Sequence, residues 1–258
     1  MSRKMISFLI VGVLLLSLGL AGCGQKAADT GKAKVLKIGA EMTFPPFEFQ
    51  DEGNKEYVGF DIDLTKAVAK QMGYELEIQN IGFDGLIPAL EAGNIDMIVS
   101  GMSITEERSK KVAFSKPYYK SGLSIVVKSD NNSITSFKDL EGKKIAVQIG
   151  TTGAEEAKKI KDAKVREYNS NSEAYMELKA GGVDAVVNDL PVNEYYLATS
   201  GEKNAKLVGD ILNAEEYGMA VTKKNAELVE KVNKALDELK KNGEYEKIYV
   251  KWFAKKPQ

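Results

Sequence analysis

The 258-residue chain has no histidine and one cysteine, Cys23. The first absence excludes a catalytic histidine and any imidazole metal site, and the second excludes an intrachain disulfide or a CxxC-type zinc site. Charge of one sign is missing as well. The 36 Lys and Arg residues stand against 37 Asp and Glu, which leaves no basic footprint for nucleic acid. What remains, 43% hydrophobic and 28% charged residues, is the composition of an ordinary globular protein large enough for one domain or two smaller ones. No motif asks for a metal or another cofactor.

The cysteine has a context. Arg3 and Lys4 precede an apolar run at 5–20, and Leu20-Ala21-Gly22 places small residues directly before Cys23. This is the pattern of a lipoprotein signal, with residues 1–22 removed and Cys23 acylated. The alternative is a transmembrane anchor, but the run is shorter than the roughly 20 apolar residues that a span needs. Residues 23–34 are small and polar, suited to a flexible tether between a lipid anchor and a body working outside the cytoplasm.

From residue 35 short apolar runs alternate with amphipathic stretches, which predicts an α/β fold with largely parallel sheets. Residues 35–39 and 74–78 read as strands. Between them Leu64, Ala67, Val68 and Met72 fall at helical spacing before Gly73. Residues 83–92 read as a helix in which Pro88 is awkward unless it sits in the first turn. Leu228, Val232, Leu236 and Leu239 form another stripe, and Gly243 separates it from a last helix bearing Tyr245, Ile248, Tyr249 and Trp252. The sequence also echoes itself: Leu90-Glu-Ala-Gly-Asn-Ile-Asp-Met-Ile-Val99 and Leu178-Lys-Ala-Gly-Gly-Val-Asp-Ala-Val-Val187 both read as helix end, glycine stop and buried strand. Ser100-Gly101 follows one strand and Asn188-Asp189 the other. Ligands of open α/β sheets sit beyond the carboxyl ends of strands, so two facing sheets would put these pairs across one cleft. The expected organisation is a first lobe at 35–117 and 218–258, a second at 123–212, and two hinge crossings at 118–122 and 213–217.

Four segments could carry chemistry. Ser100-Gly-Met-Ser-Ile-Thr-Glu-Glu-Arg108 leads from a strand into a helix start, where Arg108 and Ser103 could grip a carboxylate; a capped helix with a solvent-facing arginine is the alternative. Gln148-Ile-Gly-Thr151-Thr152-Gly153 is a small, hydroxyl-rich turn whose N–H groups suit an anion, though it lacks the lysine of a P-loop. Glu41-Met-Thr-Phe44 follows the first strand with an acid and an aromatic; Phe44 and Phe83 could form a slot for a side chain that Glu41 selects for positive charge. Asp189 could bind an ammonium group or cap the helix that begins near Pro191.

Together the motifs resemble the extracellular solute-binding proteins of ABC importers for polar amino acids. The resemblance rests on Lys37-Ile-Gly-Ala-Glu-Met-Thr-Phe-Pro-Pro-Phe-Glu-Phe49, Val58-Gly-Phe-Asp-Ile-Asp-Leu64, Phe83-Asp-Gly-Leu-Ile-Pro-Ala-Leu90, the segment 100–108, and Asn242-Gly-Glu-Tyr-Glu-Lys-Ile-Tyr249. It implies a two-lobed periplasmic-binding-protein fold of type II, with a two-strand hinge, that closes on one free amino acid. It also implies roles. Arg108, Ser103 and the N–H of Thr152 would hold the ligand carboxylate, with Ser100 and Thr151 beside them. Asp189 and the carbonyl of Gly101 would hold the ammonium, and Phe44 and Phe83 would sandwich the side chain. Glu41 and Gln148 would set specificity, and Asp61 lies where some members touch cationic side chains. A monomer serving a membrane permease is implied.

Members that bind glutamine carry Lys where this chain has Gln148 and His where it has Asn188. Without that cation, Glu41 leaves the distal pocket negative, which favours arginine or a broader basic set over glutamine. Two other classes stay in view: a dehydratase on the same fold, for which Glu41 and Asp189 are the only cleft acids, and a sensor ectodomain.

Overall fold

A computed structural model describes residues 34–201 and 203–257. These lie in the second of the chain's two units, Ala33–Gln258. The signal segment 1–22, Cys23 and the tether to residue 33 lie outside the described residues. No described helix is long and apolar enough to cross a membrane.

The first lobe opens with strand β1 (Lys34–Ala40), followed by a small antiparallel ribbon of β2 (Thr43–Phe44), β3 (Glu48–Gln50) and β4 (Tyr57–Val58). Helix α1 (Phe60–Met72) buries Ile62, Leu64 and Val68 and stops at Gly73, whose φ of 75° is left-handed. Strand β5 (Tyr74–Asn80) then pairs with β1 in parallel. The expected helix at 83–92 is a 3₁₀ turn, Phe83–Gly85, running into α2 (Leu86–Glu91). Pro88 is its third residue, where no intrahelical N–H bond is lost. Strand β6 (Met97–Ile98), helix α3 (Glu106–Lys111) and β7 (Val112–Phe114) follow.

Strand β8 (Tyr119–Lys128) carries the chain into the second lobe. There β9 (Lys144–Gln148), α4 (Thr152–Lys159), β10 (Lys164–Tyr168), α5 (Asn171–Ala180), β11 (Ala185–Asp189), α6 (Leu190–Tyr196) and β12 (Ala205–Val208) alternate. Strand β13 (Ala214–Tyr217) returns antiparallel to β8, with Ala214 opposite Gly122 and Tyr217 opposite Tyr119. Strand β14 (Ala220–Thr222) rejoins the first sheet. Helices α7 (Ala226–Lys241) and α8 (Glu244–Phe253) close the chain; Leu228, Val232, Leu236 and Leu239 are all buried, as their spacing requires.

The two sheets have matching plans, β5-β1-β6-β14-β7 and β10-β9-β11-β8-β12. In each the first three strands are parallel. The fourth, β14 or β8, runs antiparallel to both of its neighbours, so both sheets are mixed where the sequence reads as largely parallel. The cause is the double crossing: β8 enters the second sheet, and β14 the first, from the opposite lobe.

The echoed segments occupy equivalent places, β6 and β11. Their shared aspartates make the same bond, Asp96 accepting from the backbone N–H of Lys37 and Asp184 from that of Lys144, each at 2.8 Å. The preceding glycines, Gly93 and Gly181, have φ of 77° and 80°. Where the crossing strands meet the first lobe, Phe47, Phe60, Tyr119, Tyr217, Tyr249 and Phe253 pack edge to face or stacked, with Phe47 and Tyr119 centroids 4.8 Å apart. Burial of each large ring contributes roughly 1.5–3 kcal/mol, so this cluster anchors both crossings to one lobe.

Candidate ligand-binding site

A narrow cavity lies between the carboxyl ends of the two sheets. Its wall contains Glu41 from the loop after β1, Phe44 from β2, Glu48 from β3, and Phe83 from the 3₁₀ turn. It also contains Ser100, Gly101, Ser103 and Arg108 from β6 through α3, and Gln148, Thr151, Thr152 and Asp189 from the second lobe.

Thr105 caps α3 by accepting from the backbone N–H of Arg108 at 3.1 Å, which turns the Arg108 side chain inward. Its Nη1 donates to the Ser103 carbonyl at 2.8 Å, its Nη2 to the Gly150 carbonyl at 3.0 Å, and its guanidinium lies 5.3 Å from the Phe83 ring centre. The residue is 7% exposed. Burial lowers its pKa, and Glu155, Glu215 and Asp189 oppose that shift.

In the facing lobe α4 begins at Thr152, because Thr151 caps it by accepting from the N–H of Ala154 at 3.1 Å. Asp189 occupies the cap position of α6 but makes no side-chain cap bond. Its Oδ1 instead accepts from Ser121 and Tyr217 at 2.9 and 2.6 Å. Burial and the nearby Glu215 raise the Asp189 pKa.

The other end of the cavity is acidic. Glu41 accepts from the Thr43 hydroxyl at 2.6 Å and stands beside Gln148, whose amide is held by Asn171 at 2.7 Å and by the Asn169 carbonyl at 3.1 Å. Burial is the main cause of a raised Glu41 pKa.

Eleven of the twelve residues singled out in the sequence therefore share one wall. Asp61 departs from the expectation. It is fully buried at the start of α1, and its Oδ2 is taken by the Gly101 N–H at 2.9 Å and the Tyr118 hydroxyl at 2.6 Å, behind the wall rather than on it.

Two acids were missed. Glu48 lines the cavity; its signal was the acid closing Phe-Pro-Pro-Phe-Glu48. Glu215, on β13, accepts through one oxygen from the hydroxyls of Ser103 and Thr152 at 2.5 and 3.1 Å, tying one lobe to the other. Nothing in the Glu215-Glu216 pair distinguishes the inward acid except strand alternation.

Residues 36–255 match the bacterial extracellular solute-binding proteins, family 3. The chain belongs to this family. It is thus a solute-binding protein rather than an enzyme, of a family that works outside the cytoplasm. Family 3 relatives include the arginine-binding extracellular protein ArtP of Bacillus subtilis (strain 168), 36% identical over 97% of this chain and 98% of that protein. Among solved structures, an ancestral arginine-binding protein bound to arginine superposes with a TM-score of 0.83 at 51% identity, covering 85% of this chain and 98% of that one. An ancestral arginine-binding protein bound to glutamine gives 0.81 at 50% identity, covering 87% and 100%.

Proposed function

We propose that this chain is the receptor of an ABC importer and captures a free amino acid with a cationic side chain, arginine first, between its two lobes. The observation that carries the reading is the division of the cavity's charge. Arg108 and Asp189, of opposite sign and from opposite lobes, stand near each other and match the carboxylate and ammonium of an amino acid. Glu41 stands apart from them beside an uncharged Gln148, and a guanidinium or ammonium is the complement of that end. Phe44 and Phe83 supply apolar faces for the methylenes between. The arginine-binding names of the relatives support this choice, and the glutamine-bound relative keeps glutamine as the second reading.

The remaining parts follow from the same reading. Arg108, Ser103 and Thr152 hold the ligand carboxylate; Asp189 and Gly101 hold the ammonium; the strands at 118–122 and 213–217 bend as the lobes close. The closed form docks as a monomer on a membrane permease, and acylation of Cys23 keeps it at the cell surface. Titration calorimetry tests this, using protein freed of ligand by unfolding and refolding, with arginine, lysine, histidine and glutamine in parallel. Tighter binding of arginine than glutamine is expected; the reverse order would leave the clamp intact and overturn the argument from Glu41.

A further inference from the structure

Beneath the acidic end of the cavity two carboxyl groups lie close enough to act on each other, and no cation is among the groups that act on them most strongly. Glu48 and Asp61 are both fully buried. Glu48 Oε1 accepts from the Ser100 hydroxyl at 2.8 Å, and Asp61 Oδ2 accepts from Gly101 and Tyr118. The remaining oxygens, Glu48 Oε2 and Asp61 Oδ1, are buried and have no other donor. Two ionised carboxylates cannot satisfy each other, because both only accept. One proton resolves both atoms at once.

We propose that Glu48 and Asp61 share one proton, with Glu48 Oε2–H donating to Asp61 Oδ1, and act as a positioning pair that holds the Ser100-Gly101 loop while giving the cavity floor one negative charge instead of two. The proton belongs on Glu48 because Asp61 already accepts two bonds that favour its ionised form, whereas Glu48 accepts one. The directions of the shifts agree: Glu48 is pushed well above the usual carboxylate range by burial and by Asp61, while Asp61 rises to about 6. The groups acting most strongly on the pair are Glu41 from the loop after β1, Ser100 and Gly101 after β6, and Tyr118 at the start of the first crossing; none is a cation. Tyr245 of α8 also feels the Asp61 charge.

The pair grips the loop from two sides. On one, the Glu41 backbone N–H donates to Ser100 Oγ at 3.0 Å, and Ser100 donates on to Glu48, so the backbone of the specificity acid rests on Glu48. On the other, Asp61 holds the backbone N–H of Gly101, the residue whose carbonyl is assigned to the ligand ammonium in the proposed function. The inference rests on the proposed function only for what the loop serves, since the shared proton follows from the geometry of the pair.

The test uses the full chain as wild type, Glu48→Gln and Glu48→Ala. Infrared spectroscopy at neutral pH is expected to show a carboxylic-acid C=O stretch that Glu48→Gln removes. A glutamine amide can donate to Asp61 and accept from Ser100 as the protonated acid does, whereas alanine leaves Asp61 Oδ1 and Ser100 unpaired. Glu48→Ala is therefore expected to weaken arginine binding by about tenfold or more, and Glu48→Gln to recover most of that loss. Identical acid bands in wild type and Glu48→Gln would overturn the proposal. So would a Glu48→Gln protein as weak as Glu48→Ala for arginine but not for glutamine, since Glu48 would then carry charge. If the wild type bound no amino acid, the proposed function would fall, and the infrared band would still decide the pair.

Discussion

Arg108 of the first lobe donates to the carbonyl oxygen of Gly150 in the second, at 3.0 Å, while holding its own loop through Ser103. One side chain thus reaches from one lobe to the other at the place proposed for the ligand carboxylate. Arg108→Ala is expected to weaken binding of arginine and glutamine alike by about a hundredfold or more, in line with the roughly 3–5 kcal/mol lost when one partner of a buried ion pair is removed. Arg108→Lys should recover little, because an ammonium cannot reproduce the planar fork. Calorimetry with both ligands checks this, and a loss confined to arginine would reassign Arg108 to the side-chain end.

Glu41 supplies the opposite case. Glu41→Gln keeps the shape and removes the charge, so arginine should weaken by about tenfold or more and glutamine by little, given that hydrogen bonds to charged groups contribute roughly 1.5–3 kcal/mol. The ratio of the two dissociation constants is the measurement. Equal losses would mean that Glu41 does not contact the side chain.

Acidity should move stability and affinity in opposite directions. Burial raises Asp61 to about 6 and raises Glu41 and Glu48 as well, whereas the unfolded chain has ordinary carboxyls. Between the unfolded and folded values the native state binds more protons, so unfolding free energy rises as pH falls through that window, with Asp61 contributing on the order of 2–3 kcal/mol. Arginine affinity should fall as acid neutralises Glu41, whose carboxyl pKa burial also raises. Denaturant titrations and calorimetry at about pH 7 and about pH 5 compare the two trends. A ligand-free protein that loses stability towards pH 5 would contradict the burial argument.

Gly101 sits where the wall leaves no room for a side chain. Its φ is 49°, and an added Cβ would lie 2.6 Å from Phe44 Cε1. Gly101→Ala should push the Phe44 ring from its place and strain the backbone by roughly 1–3 kcal/mol, lowering the melting temperature and weakening every ligand. A melting temperature and affinities equal to wild type would show that the ring can yield freely.

Much of this arrangement is legible in the sequence because it depends on local signals. Thr105 and Thr151 are caps that aim α3 and α4 at the cleft, and the echoed Asp96 and Asp184 mark equivalent strands, so Ser100-Gly101 and Asn188-Asp189 can be placed without coordinates. Asp61 and Glu48 are different. Which acid of a helix start or ribbon reaches the cavity depends on how the ribbon β2–β4 folds over α1, a packing outcome that periodicity does not encode. Glu215 likewise becomes a bridge only when β13 lies beside β8. The mixed character of the sheets follows from the crossings, which exchange strand direction between lobes in a way no single segment records.

The cavity wall has one more consequence, for time rather than affinity. Glu41, Phe44, Gln148, Arg108 and Asp189 are all 7% exposed or less. A molecule seated among them has no path out while the lobes stay together, so its residence time is set by how often the crossing strands β8 and β13 let the lobes part. Substitutions on those strands that avoid Ser121, Glu215 and Tyr217, which touch the site, would then change the dissociation rate and leave the contacts themselves untouched.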